Sequence, residues 1–185
     1  YLLATLFVLM TGEGYFDRFG SPIGGDYVTF YAASEMVLDG EGAQVFDVDK
    51  IHAREIGVIG DGVEPLAWHY PPPTLVAVAP LSLLPYGLSL ALFTLLSVML
   101  FGLVAHRLDS RAVVRSMAWA FPGLFICLVQ GQNGVLTMAI LAMGLTTLER
   151  RPWLAGLLFG LLVWTSLLCR VLAVAVASLV NATAL

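Results

Sequence analysis

Charge is scarce in this sequence, and the places where it is missing are the first guide to what the chain is. Only 12% of the 185 residues are charged and 59% are hydrophobic, against the roughly 25% charged composition of soluble domains, which points to a membrane protein and away from a water-soluble fold. No Asp, Glu, Lys or Arg occurs between Pro65 and His106, and none between Ser116 and Leu148. Cysteine is limited to Cys127 and Cys169. Both lie in apolar runs and read as small buried hydrophobes, which excludes a disulfide framework. His52 and His69 lack metal-ligand spacing and no Cys or His cluster accompanies them, so no structural metal is expected. With a formal net charge of −4, no nucleic-acid partner is expected either.

The charge that is present is segregated. Of 13 acidic residues, 11 lie between Glu13 and Glu64, whereas Arg107, Arg111, Arg115, Arg150, Arg151 and Arg170 punctuate the apolar remainder. The pattern predicts an all-α, multi-pass transmembrane protein interrupted by one acidic external loop, residues 11–70, that carries short amphipathic helices. Tyr1–Met10 is shorter than the ~20 residues of a spanning helix and is expected to be the end of one that began earlier, or else the end of a signal sequence.

Pro80 and Pro85 divide the next apolar run into a half-length piece, Thr74–Leu84, re-entrant or interfacial, and a full-length span, Tyr86–Ala105. "QGQNG" at Gln130–Gly134 supplies the turn of a hairpin of two spans within 116–148. Pro152–Cys169 and Val171–Leu185 read as the last two segments, giving about four to six in all. The arginine-bearing connections at 107–115 and 150–151 are separated by two spans, and the positive-inside tendency places both on the cytoplasmic face. The 11–70 loop and the Gln130–Gly134 turn then lie on the non-cytoplasmic side of the plasma membrane. Trp68 and Trp164 fall near that outer interface, with Trp119 and Trp153 near the inner one.

The outer side gathers the polar candidates. In "GGDYVTFYAASEMVLDG", Tyr27, Phe30, Tyr31, Val37 and Leu38 recur at helical spacing behind Asp26. Asp26 reads as the helix N-cap, as a catalytic or binding carboxylate, or as both. Gly40 suits the helix C-terminus. Glu35, Asp39, Glu41, Asp47, Asp49 and Asp61 read as a solvated face, and "AQVFDVDKIHAREIG" as a second short helix with His52, Arg54 and Glu55 exposed. In "WHYPPP", three prolines impose an extended entry into the membrane and present His69 and Tyr70 either as an anchor or toward a phosphate or sugar. Gln132 and Asn133 add two amides on the same side, as turn residues or ligand contacts. Asp26, His69, Tyr70, Gln132 and Asn133 come from separate parts of the chain, yet the topology puts all of them at one membrane surface. That arrangement suits a substrate with an apolar tail and a polar head. A transporter would instead place ionisable groups at mid-span, whereas most charges here stand at segment ends.

The ordered set "GGDYVTFYAASEMVLDGEGAQVFD", "HYPPP", "PLSLLP", "GQNG" and "RRPWLAGLLFGLLVW", Gly24 to Trp164, resembles glycosyltransferase family 87. The resemblance implies a GT-C-like membrane enzyme that uses a polyprenyl-phosphate-linked sugar, with mannose as the hexose and a lipid or glycan as acceptor. It also implies Asp26 as catalytic base, while His69, Tyr70, Gln132 and Asn133 are expected as substrate contacts from their shared side of the topology. No cofactor beyond the lipid-linked donor is implied, and a divalent ion is left open. After Trp164 the resemblance lapses: Thr165 and Ser166 stand where a lysine-proline element is expected, which suggests a frameshift or truncation there.

Overall fold

The computed structural model describes residues 11–108 and 111–162. The expectations placed on Tyr1–Met10, Trp164, Cys169, Arg170 and the Val171–Leu185 span lie outside the described residues. Regular structure within them is helical, apart from an isolated antiparallel bridge between Phe16 and Pro22.

Helix α1, Gly25–Leu38, lies at the centre of the acidic segment. Its end is built as expected. Gly40 is left-handed (φ 80°), its N–H donates to the Val37 carbonyl and the Glu41 N–H to the Met36 carbonyl, closing the last turn. The expected amphipathic character is corrected. Tyr27 through Ser34 and Met36 are all buried, so α1 is enclosed on every side rather than lying on a surface. An enclosed helix must satisfy its polar groups through its neighbours. Tyr27 Oη is 2.6 Å from Ser89 Oγ, Tyr31 Oη donates to the Leu84 carbonyl (2.9 Å), and Ser34 Oγ donates to the Ala79 carbonyl (2.8 Å) and accepts from the Ser82 N–H (2.9 Å).

A 3-10 turn, Gly42–Phe46, leads into α2, Val48–Ile59. Asp47, expected only as part of a solvated face, is the N-cap of α2 and accepts from the Asp49 and Lys50 N–H groups. Arg54 clasps the C-terminal end of α1, with Nη1 2.7 Å from Asp39 and Nη2 3.0 Å from Glu41. These half-exposed pairs contribute about 0–1 kcal/mol each. The expected exposure of Glu55 is also corrected. Its side chain is fully buried, accepts from Thr29 Oγ1 at 2.6 Å and lies 3.4 Å from His52 Nδ1. It points inward because Thr29 on α1 and the Leu66 backbone N–H offer donors that only a carboxyl at this position can reach. Glu55 thereby ties α1, α2 and the extended segment before Tyr70 together.

The chain then enters its apolar part. Helix α3, Pro73–Val78, and a 3-10 turn, Leu81–Leu83, form the broken half-length piece expected from the prolines. Helix α4, Tyr86–Leu108, has 23 residues. At 1.5 Å per residue it spans about 34 Å, enough to cross a hydrocarbon core of about 30 Å. Its buried side carries Tyr86, Ser89, Ser97, Phe101 and Val104, while Leu88, Leu92, Leu95, Leu96, Met99 and Leu103 are exposed. Such a leucine stripe would be a large apolar patch in water and is at home against acyl chains.

Helices α5, Ala112–Trp119, and α6, Pro122–Gln130, are bent by 45° at Phe121, whose extended backbone precedes a proline. Helix α7, Gly134–Thr147, returns beside α4 and packs on α8, Pro152–Leu162. The two full spans expected within 116–148 thus take the form of one bent pair and one 14-residue helix. Among the described residues, one helix is long and apolar enough to cross a membrane, or two if the bent pair counts as one span.

Burial raises the Glu55 carboxyl above its ordinary value, against the opposing pull of the Thr29, His52 and Leu66 hydrogen bonds. A carboxyl raised by folding binds more protons in the folded chain than in the unfolded one. Its contribution to stability is therefore fully present below the ordinary carboxylate range and is lost as pH rises through the raised value. Thermal unfolding in detergent is expected to show this decline, and Glu55→Gln to flatten it. Glu55→Ala, which strands Thr29 and leaves a cavity, is expected to cost about 2–4 kcal/mol.

Candidate active site

Two glycine turns meet at one end of the bundle. The first precedes α1. Gly24 is its N-cap residue in the left-handed region (φ 72°, ψ 44°), its N–H donates to the Val129 carbonyl at 3.2 Å, and Tyr86 Oη donates to the Ile23 carbonyl at 2.8 Å. The second ends α6. Gly131 is also left-handed (φ 65°), and the Gln132 N–H donates back to the Cys127 carbonyl at 2.8 Å. A Cβ on Gly131 would lie 2.5 Å from the Tyr27 Cβ, so only glycine lets this turn approach α1.

This approach decides the role of Asp26. Sequence reading allowed it as the N-cap, but the cap is Gly24 and no side chain bonds there. Asp26 stands at the second helical position, where a carboxylate also complements the helix dipole. It faces outward from the helix start and accepts a short hydrogen bond from Gln132 Nε2, linking residues 106 apart in the chain.

The partner amide is itself oriented: Gln132 Oε1 receives the Cys127 thiol at 3.6 Å, the long contact usual for sulfur. Tyr70 Oη donates to Asn133 Oδ1 at 3.4 Å. Burial, seconded by the negative charge of Asp26, pushes the Tyr70 hydroxyl up from its ordinary value, so it remains a neutral donor across the physiological range. The structure thus brings together Asp26 with Gln132, and Tyr70 with Asn133. His69 is exposed, and it hydrogen-bonds to nothing among the described residues.

Sequence reading missed two participants. Cys127, taken as an inert buried hydrophobe, is half-exposed beside Gln132. Its spacing of one helical turn before "GQNG" was the available signal. Trp68, expected as an interface anchor, is instead buried. It packs edge-on to Phe30 at 5.8 Å and against Tyr70 at 5.1 Å, and its indole N–H has no partner. The aromatic trio Phe30, Trp68 and Tyr70 sets the position of the Tyr70 hydroxyl.

The sequence profile of glycosyltransferase family 87 matches residues 68–183, and the chain belongs to that family. It is a glycosyltransferase by that membership. Comparison with curated proteins and with solved structures yields no match. The matched span includes Tyr70, Gln132 and Asn133, while Asp26 joins them through geometry alone.

The steric argument predicts unequal costs for two substitutions with similar backbone strain. Gly40→Ala meets no atom within 4 Å and is expected to cost about 1–2 kcal/mol from its left-handed φ alone. Gly131→Ala adds the clash with Tyr27 and is expected to cost about 2–4 kcal/mol and to lower activity as well, read by thermal unfolding beside a transfer assay.

Proposed function

We propose that this glycosyltransferase is a multi-pass membrane enzyme that moves a hexose, taken to be mannose, from a polyprenyl-phosphate donor to a lipid or glycan acceptor. The reaction is placed at the non-cytoplasmic face of the plasma membrane. The observation that carries the reading is the Asp26–Gln132 hydrogen bond, which joins the acidic segment to the turn between two apolar helices. It puts a carboxylate at the end of the bundle where a lipid-borne sugar would emerge from the bilayer.

In this reading Asp26 is the general base. One of its oxygens is held by the Gln132 amide, and the other is left for an acceptor hydroxyl, whose proton it takes as that oxygen attacks the anomeric carbon. Attack from the side opposite the phosphate inverts the anomeric configuration. Negative charge grows on the leaving phosphate oxygen, and the neutral Tyr70 hydroxyl and the Asn133 amide are the nearby donors suited to it. His69, exposed at the same segment, is assigned to the outer rim of the acceptor site. The full topology, with residues 11–70 outside and the arginine connections inside, rests on the distribution of arginine and acidic residues.

Membranes containing the chain are expected to transfer radiolabelled mannose from polyprenyl-phosphate-mannose to an extractable lipid. Asp26→Asn is expected to reduce kcat by about 10²–10⁴ with little change in KM for the donor. Gln132→Ala is expected to cost about 10–100-fold, the loss of one hydrogen bond to a charged group. Equal transfer by wild type and Asp26→Asn would reduce Asp26 to a structural partner of Gln132. Orientation is tested separately in a background lacking native cysteine. Asp49→Cys is expected to react with an impermeant maleimide added outside intact cells, and Glu149→Cys only after the membrane is opened; the reverse order would invert the topology.

A further inference from the structure

The far end of the bundle carries a second polar feature that the transfer reaction leaves unused. Arg107 ends α4, and Arg150 with Arg151 forms the tight connection between α7 and α8. These residues line one cavity of about 860 Å3 together with Thr146, Thr147 and Glu149. Helix α7 separates this cavity from Asn133 by 14 residues, about 21 Å, and α4 separates Arg107 from Tyr86 by about 32 Å. The cavity is therefore remote from Asp26 and independent of the proposed chemistry there.

Two properties define what fits. First, three guanidinium groups face one carboxylate, and no salt bridge engages Arg107, Arg150 or Arg151 among the described residues, Glu149 included. Cations gathered around a cavity without internal counter-ions are suited to an external anion, and the planar, multi-donor guanidinium suits phosphate in particular. Second, the rim is apolar. Leu145 and Leu148 on α7 are exposed, and Trp153, Leu157 and Leu161 on α8 form an exposed stripe at four-residue spacing leading away from the arginines. A free phosphate ion would have no use for that stripe. A molecule with a phosphate head and acyl chains would use both.

We infer that this end of the bundle binds the headgroup of an anionic phospholipid, its phosphate held by Arg107, Arg150 and Arg151 and its chains laid along Trp153, Leu157 and Leu161. The lipid would add a bridge between the end of α4 and the α7–α8 connection beside the direct packing of α4 on α7. It would also hold this end of the bundle at headgroup depth, with Trp153 at the level amphipathic aromatics prefer.

The test is lipid retention by the purified full chain in detergent, measured by native mass spectrometry after exposure to phosphatidylglycerol, to phosphatidylcholine, or to inorganic phosphate alone. Wild type is expected to retain phosphatidylglycerol preferentially, with retention falling as salt is raised. Each arginine-to-glutamine change is expected to weaken retention about fivefold, so the Arg150→Gln/Arg151→Gln pair loses most of it. Lys50→Gln, on the acidic segment, is the charge-matched control and is expected to leave retention unchanged. Should the double variant fail to stay monodisperse, Arg107→Gln supplies the same comparison from another helix. Equal retention of the two lipids, undiminished retention by the arginine variants, or equal loss with Lys50→Gln would each overturn the site. Inorganic phosphate binding as tightly as phosphatidylglycerol would overturn the lipid assignment.

Discussion

The close approach of the Gly131 turn to the first turn of α1 is the contact on which the site depends. With no side chain at Gly131, the end of α6 settles against Tyr27, and the following residue, Gln132, is carried to Asp26. Gly24 answers from the other side, using its left-handed backbone to turn into α1 while donating to the Val129 carbonyl. Two turns that look like ordinary helix ends in isolation therefore act as one joint. A Cβ at Gly131 would press on Tyr27 and push the amide away from the carboxylate, whereas one at Gly24 would meet Leu90 and Tyr86 of α4.

The joint holds because α1 is fastened on all sides. Membrane helices gain little from burying apolar side chains against lipid-like surroundings, so polar contacts and close packing must specify position. Buried polar side chains on α1 reach several neighbours: Tyr27 to α4, Thr29 to α2, Tyr31 to the Leu84 carbonyl, Ser34 to the 3-10 turn before α4. Glu55 completes the set from α2 and holds the strand-like stretch that delivers Trp68 and Tyr70. The acidic segment is thus a packed cap on the helices rather than a loose loop.

Much of the architecture was legible in one dimension. Absence of charge marked α4, prolines marked the break at 79–85, and Gly40 marked the end of α1. These readings hold because they depend on local chemistry: a missing N–H, a permitted left-handed backbone, the cost of a charge in hydrocarbon. The misreadings share one origin. Asp26 was a good N-cap by its position, Glu55 a good exposed helix residue by its neighbours, and α1 a good surface helix by its spacing. Each was overruled by a partner distant in sequence: Gln132 for Asp26, Thr29 for Glu55, and the surrounding elements for α1.

Sequence by itself determined that the chain is helical, apolar and asymmetric in charge, because hydropathy and proline placement act over a few residues at a time. It also raised the expectation that Asp26, His69, Tyr70, Gln132 and Asn133 share one side of the chain. Which of them touch was decided only in three dimensions. Hydrogen bonds across 63 and 106 residues require the Gly131 turn to be pressed against the start of α1, and a pressing of that kind is set by the absence of atoms at Gly131 rather than by any residue pattern that announces it.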